Sequence, residues 1–172
     1  MAAANIFQAI ADATIQQLSA LDLSNTRMAQ LSINRADFLN WLTSPTNGIQ
    51  NFVGSAFTAI SAEYRRIQQA GALSVQAKQD AITAVERIRA AFEAIVRLFQ
   101  STQSSTVDGA ISSINATAKA MQQSIAADPL ADGTTGAAQL TQGSSAGILA
   151  GSSYLWLAVV AAILLILFLP KK

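Results

Sequence analysis

The sequence predicts an all-α protein: an antiparallel bundle of coiled-coil-like helical hairpins, a flexible tether and one C-terminal transmembrane helix. Three observations carry this. Apolar residues recur at alternating spacings of three and four through most of the first 127 residues, the period of a helix face and not of a strand. Prolines stand only at 45, 129 and 170, where other signals also place breaks. Ile148 to Leu169 contains no charged residue.

Residues 1–44 are expected to hold N-terminal amphipathic helices. Phe7, Ile10, Ala11, Ile15, Leu18 and Leu21 share one helical face, with Thr14 the one polar residue in the stripe. A second helix is expected from Thr26 to Leu42, with Met28, Leu31, Phe38, Leu39 and Leu42 on its apolar side and Trp41 as a packing residue. Ser44 to Gly48 then ends it: Pro45 cannot continue a helix, and Asn47-Gly48 suits the positive φ of a tight turn.

Residues 45–127 form the main bundle, with heptad-spaced helices over 49–70, 74–100 and 107–127. In the first, Ile49, Val53, Ala56, Ile60, Glu63 or Tyr64, and Ile67 alternate spacings of four and three, and Gly71 is the stop signal. Ser74 is the expected N-cap of the second, in which Ala81, Val85, Ile88, Phe92, Ile95 and Phe99 form the stripe and Glu93 and Arg97 stand four apart. Ser101 to Thr106 reads as a polar turn. The third helix follows with Val107, Ile111, Ile114, Ala118, Met121 and Ile125, and Asp108 near its start suits the helix dipole. Three apolar stripes on short connections must pack on one another or on copies from other chains.

From 128 to 147 the periodicity stops and Gly, Ser, Thr and Asp take over, the composition of a flexible linker. The segment 148–169 is roughly 22 residues, about 33 Å as a helix, which matches the ~30 Å hydrocarbon core of a bilayer. Tyr154 and Trp156 are the expected interface residues on one side; Lys171 and Lys172, in the basic tail 170–172, mark the other. Gly147 and Gly151, continued by Ala158 and Ala162, make a small-residue stripe of the kind that lets helix backbones approach in lipid. A homo-oligomer or a pairing with partner helices is the expected consequence.

Composition limits the chemistry. The 172 residues have room for about one ordinary domain and a membrane segment; 51% are hydrophobic and only 12% charged. There are no cysteines and no histidines, which removes disulfides, thiol nucleophiles, histidine bases and almost every zinc, copper or haem site. The carboxylates show no metal-like or catalytic spacing and no phosphate loop is present. The expectation is a non-enzymatic protein without cofactor. A formal charge of +1 supports no nucleic-acid surface, beyond weak contact through the terminal lysines. Arg65, Arg66, Arg87, Arg89 and Arg97 are interleaved with Glu63, Glu86 and Glu93, which reads as a salt-bridged surface and not a basic strip. Asn115-Ala116-Thr117 matches the glycosylation triplet, but within an expected helix.

Two topology rules conflict. Counting basic residues puts Lys171 and Lys172 on the cytoplasmic side. The N-terminal stretch has no basic start, long apolar run and cleavage site, so the helical part is expected in the cytosol, with the anchor inserted after translation. That second rule is preferred, because a two-residue tail crosses more easily than a bundle.

A small Ala/Gln/Ser-rich helical bundle on a tether and a single C-terminal span resembles the minor membrane-associated structural and genome-delivery proteins of tailless, membrane-containing phages. The resemblance implies a tail-anchored virion protein that links membrane to capsid proteins or aids genome delivery, its bundle facing the capsid. Two other classes fit the same pattern. One is a cellular single-pass adaptor or subunit of a membrane complex; the other is a lytic or pore-forming protein whose N-terminal helices insert after oligomerisation.

Overall fold

The computed structural model describes residues 5–130 apart from 22, 24 and 31, with backbone alone at 25 and 26. The described residues are helical, with no strand among them: α1 (Ile6–Ser19), α2 (Asn25–Gln30), α3 (Arg35–Leu42), α4 (Ile49–Gln69), α5 (Val75–Arg97) and α6 (Ser104–Ala127) pack as one bundle. Most of the expected linker 128–147, the expected transmembrane helix 148–169 and the tail 170–172 lie outside the described residues. Among the described residues no helix is long and apolar enough to cross a membrane.

Each helix starts and stops for a local reason. Asn5 caps α1, its Oδ1 accepting from the amides of Phe7 (3.1 Å) and Gln8 (3.3 Å). Phe7, Ala11, Thr14 and Leu18 of α1 are buried. Thr14 stays in this apolar stripe because its hydroxyl donates back to the Ile10 carbonyl at 2.7 Å. α1 packs on both α5 and α4, so the N-terminal segment is part of the main core and not an appendage to it.

The single helix expected over Thr26–Leu42 is two helices. Ser32 stands at φ +55, and the amides of Ser32 and Ile33 fold back onto the carbonyls of Ala29 and Met28 (both 3.0 Å). That is a Schellman stop built on serine where glycine is usual. Asn34 then caps α3, its Oδ1 accepting from the Asp37 amide at 2.8 Å while its amide nitrogen donates to the Asp37 carboxylate. The local side-chain bonds of Asn34 outweigh the continuous apolar periodicity.

Gly48 also acts differently from its sequence reading. It sits at φ −106, not in the left-handed region. A Cβ built there would lie 1.7 Å from the Trp41 carbonyl oxygen, so glycine is required by a close approach of two backbones. Gly71, at φ +65, is the left-handed stop of α4: the amides of Gly71 and Ala72 return to the carbonyls of Gln68 (3.0 Å) and Ile67 (3.1 Å). Leu73 is buried just beyond, and Ser74 caps α5 by accepting from the Ala77 amide at 3.1 Å.

The three long helices share one core. Val53 and Ile60 of α4, Val85, Ile88 and Phe92 of α5, and Val107 and Ala118 of α6 are fully buried. Tyr64, not Glu63, takes the inward place on α4, and Glu63 pairs with Arg66 at the surface. On α5 Val96 is buried and Ile95 only half-buried, so the stripe shifts by one residue near the helix end. Gln50 of α4 donates to Ser113 of α6 at 3.1 Å, and Tyr64 reaches Ile125. α4 and α6 therefore run in the same direction, and α5 runs against both.

Candidate functional site at the end of helix α6

The last turn of α6 poses a problem. Its final carbonyls have no partner within the helix, and the next residues, extended Asp128 and then Pro129, supply no returning amide. Two side chains from neighbouring helices fill the gap. Lys78, in the first turn of α5, is fully buried, and its Nζ donates to the carbonyls of Ala126 (2.7 Å) and Asp128 (2.6 Å). Tyr64, near the end of α4, is buried and its hydroxyl donates to the Ile125 carbonyl at 3.2 Å.

The electrostatics suit this arrangement. A cation in the first turn of α5 is poorly placed for its own helix dipole, but its ammonium sits against the negative end of α6. Burial pulls the Lys78 ammonium below the ordinary lysine pKa, and the nearby Asp128 carboxylate opposes that shift. Burial also pushes the Tyr64 phenol well above its ordinary value, and the charge of Asp128 adds to the rise. Tyr64 is thereby held as the neutral phenol that donates to α6, whereas the Lys78 ammonium donates against a desolvation cost that Asp128 and the α6 carbonyls offset.

Arg35 does a similar job at the end of α5. Its Nη2 donates to the Leu98 carbonyl at 2.8 Å, and its guanidinium lies 4.6 Å from the centroid of the Phe99 ring. Phe99 packs 5.7 Å from Phe38, which is 5.4 Å from the half-buried Trp41. Trp41 is thus part of an aromatic cluster that joins α3 to the end of α5.

The remaining charges form a paired surface. Arg89 reaches Glu86 (2.6 Å) and Glu93 (2.6 Å) on its own helix and the Asn115 amide oxygen on α6 (2.9 Å). Arg97 pairs with Glu93, the partner four residues away, and Arg87 joins Asp12 of α1 at 2.8 Å. Hydrogen bonds from these arginines hold the Glu86 and Glu93 carboxyls below their ordinary pKa, and Arg89 is held more firmly protonated by Glu86 in the first place. Asn115 of the glycosylation triplet lies within α6 and is engaged with Arg89. Among the described residues no group of His, Cys, Asp and Glu is arranged to hold a metal ion.

The residues singled out in the sequence for the membrane helix, Gly147, Gly151, Ala158, Ala162, Tyr154, Trp156, Lys171 and Lys172, all lie outside the described residues. Of the two residues that fasten α6, Tyr64 stands in the expected α4 stripe as an alternative to Glu63, and Lys78 is in no expected stripe. A signal existed: the α5 stripe of Ala81, Val85, Ile88 and Phe92, extended back by three, lands on Lys78. Comparison with family models, with curated proteins and with solved structures finds no match for this chain.

Proposed function

We propose that this is a non-enzymatic, tail-anchored structural protein of a membrane, most specifically a minor protein of a membrane-containing virus particle that ties the bilayer to the surrounding protein shell or assists genome delivery. The observation that carries the reading is the fastening of α6. Lys78 and Tyr64, from two different helices, hold its last turn immediately before the linker that leads to the charge-free segment 148–169. A bundle fastened at that point is suited to bear a load applied through the tether, because pulling on residue 130 strains α4, α5 and α6 together.

The paired charges and buried stripes fit a packing role. The pore-forming reading is less well supported, because α1 would first have to withdraw Phe7, Ala11 and Leu18 from the core. Exposing Phe7 and Leu18 alone costs about 3–6 kcal/mol. Liposome flotation tests the anchor: the full chain should float with the vesicles and a variant lacking residues 148–169 should remain below. Equal flotation of both would remove the basis for the proposal. Presence of the protein at fixed stoichiometry in purified particles, extractable only with the lipid, tests the virion assignment.

A further inference from the structure

The exposed side of α6 carries an open groove of about 440 Å³ lined by Asp108, Ile111, Ser112, Asn115, Ala116 and Lys119. Asp108, Ser112, Ala116 and Lys119 are exposed along it. The two charges stand at opposite ends. Asp108 accepts from Ser104 and Gln100, both at 3.2 Å, and these donors are neutral. Among the described residues neither Asp108 nor Lys119 has an ion-pair partner. This contrasts with Glu63, Glu86 and Glu93, each of which has its arginine.

We infer that this groove receives α6 of a second copy of the chain, in antiparallel register about a two-fold axis between residues 113 and 114. The charges decide the register. Asp108 and Lys119 are eleven residues apart, about 16 Å along the helix, and a two-fold axis midway between them sets Asp108 of each copy against Lys119 of the other. The same operation sets Ser112 against Asn115 and Ile111 against Ala116. Each polar group meets a polar group, and Ala116 lies over Ile111, whose side chain is buried in its own bundle, so the contact is carried by the polar and charged pairs. An isologous contact requires this self-complementarity. Ser112 and Asn115 flank the axis, and the small side chains of Ser112 and Ala116 leave room for the two backbones to approach.

A face three turns long falls well short of the ~800 Å² per partner typical of a stable soluble interface. The pairing is therefore weak in free solution and strengthens where copies share a surface, because tethering raises their effective concentration. That last step rests on the membrane anchorage proposed above; the register does not.

The test is a charge swap on the full chain in liposomes, with copies labelled at the N-terminal amine by a donor or an acceptor. Energy transfer between wild-type copies is expected. Asp108→Lys alone and Lys119→Asp alone should each lower it several-fold, since each homodimer then faces two like-charged contacts. An equimolar mixture of the two variants should restore it, because both contacts in the heterodimer are again opposite in sign. Ala116→Trp should abolish transfer whatever the charges, with far-UV circular dichroism confirming the fold. Wild-type copies without transfer, single variants that match wild type, or a mixture that stays dark would each overturn the pairing. Pelleting the vesicles reads anchorage separately. Protein left in the supernatant would overturn the membrane reading, and the swap is then read by chemical crosslinking in concentrated solution.

Discussion

Replacing Lys78 probes the fastening of α6 most sharply. Lys78→Met keeps most of the side-chain volume and removes the two bonds to the Ala126 and Asp128 carbonyls, at 2.7 and 2.6 Å. An acceptor left buried and unpaired costs about 1–3 kcal/mol. Ala126 is buried and pays near the upper end; Asp128 is half-buried, so water replaces part of its loss. Relief of the desolvated ammonium returns some of this, which leaves a net loss of about 2–3 kcal/mol. Lys78→Ala also removes three packed methylenes at ~0.8 kcal/mol each, for a total near 4–5 kcal/mol. Urea unfolding followed by far-UV circular dichroism, with the full chain in a mild non-ionic detergent, should give the order wild type, Met, Ala with about 2 kcal/mol between steps. Hydrogen exchange should accelerate first in the last turn of α6. A methionine variant within 0.5 kcal/mol of wild type would refute the reasoning, since it would mean that the ammonium holds nothing the helix needs.

Tyr64 makes the opposite end of the pH range informative. Its folded pKa lies above the unfolded value of 10.0, so the native state keeps a proton that the unfolded chain releases, and stability falls as pH rises above about 10 by up to ~1.4 kcal/mol per unit. Lys78, with a folded pKa below 10.5, acts in the other sense and adds stability as pH rises toward that value. Tyr64→Phe should cost about 1 kcal/mol at pH 7 and remove the Tyr64 part of the alkaline fall expected of wild type, as alkaline unfolding curves would show. Gly48→Ala should be severe, several kcal/mol or failure to fold, because its Cβ meets the Trp41 backbone. Gly71→Ala meets nothing and should lose only ~1 kcal/mol from its left-handed φ; equal thermal shifts for the two would contradict this distinction. Ser32→Gly should gain a few tenths to ~1 kcal/mol by relieving the same conformation.

The long helices were legible because burial and period agree in them. The alternation of Ile49, Val53, Ala56 and Ile60, and that of Ala81, Val85, Ile88 and Phe92, is the core of the bundle. Breaks set by backbone or side-chain hydrogen bonding were harder to read. Asn34 and Ser32 split a continuous apolar pattern through bonds only a few residues long, and a periodicity window averages over them. Lys78 was hidden for another reason: residue type argues for exposure, and only the geometry of the α6 end, set by α4, α5 and α6 together, makes a buried lysine favourable. The direction of α6 relative to α4 is likewise a tertiary fact. Its signature, Gln50 against Ser113, has no counterpart in local sequence.

The proposed division between a bundle in water and a tail in lipid has a direct optical test, because the chain has two tryptophans, Trp41 beside the Phe38 ring and Trp156 in the charge-free segment. With the full chain reconstituted in vesicles of brominated lipid, a Trp41→Phe variant, which reports from Trp156, should be strongly quenched. A Trp156→Phe variant, which reports from Trp41, should keep nearly the emission it has in ordinary lipid. Quenching of Trp41 as strong as that of Trp156 would contradict the account, since it would place the helical bundle itself within the bilayer.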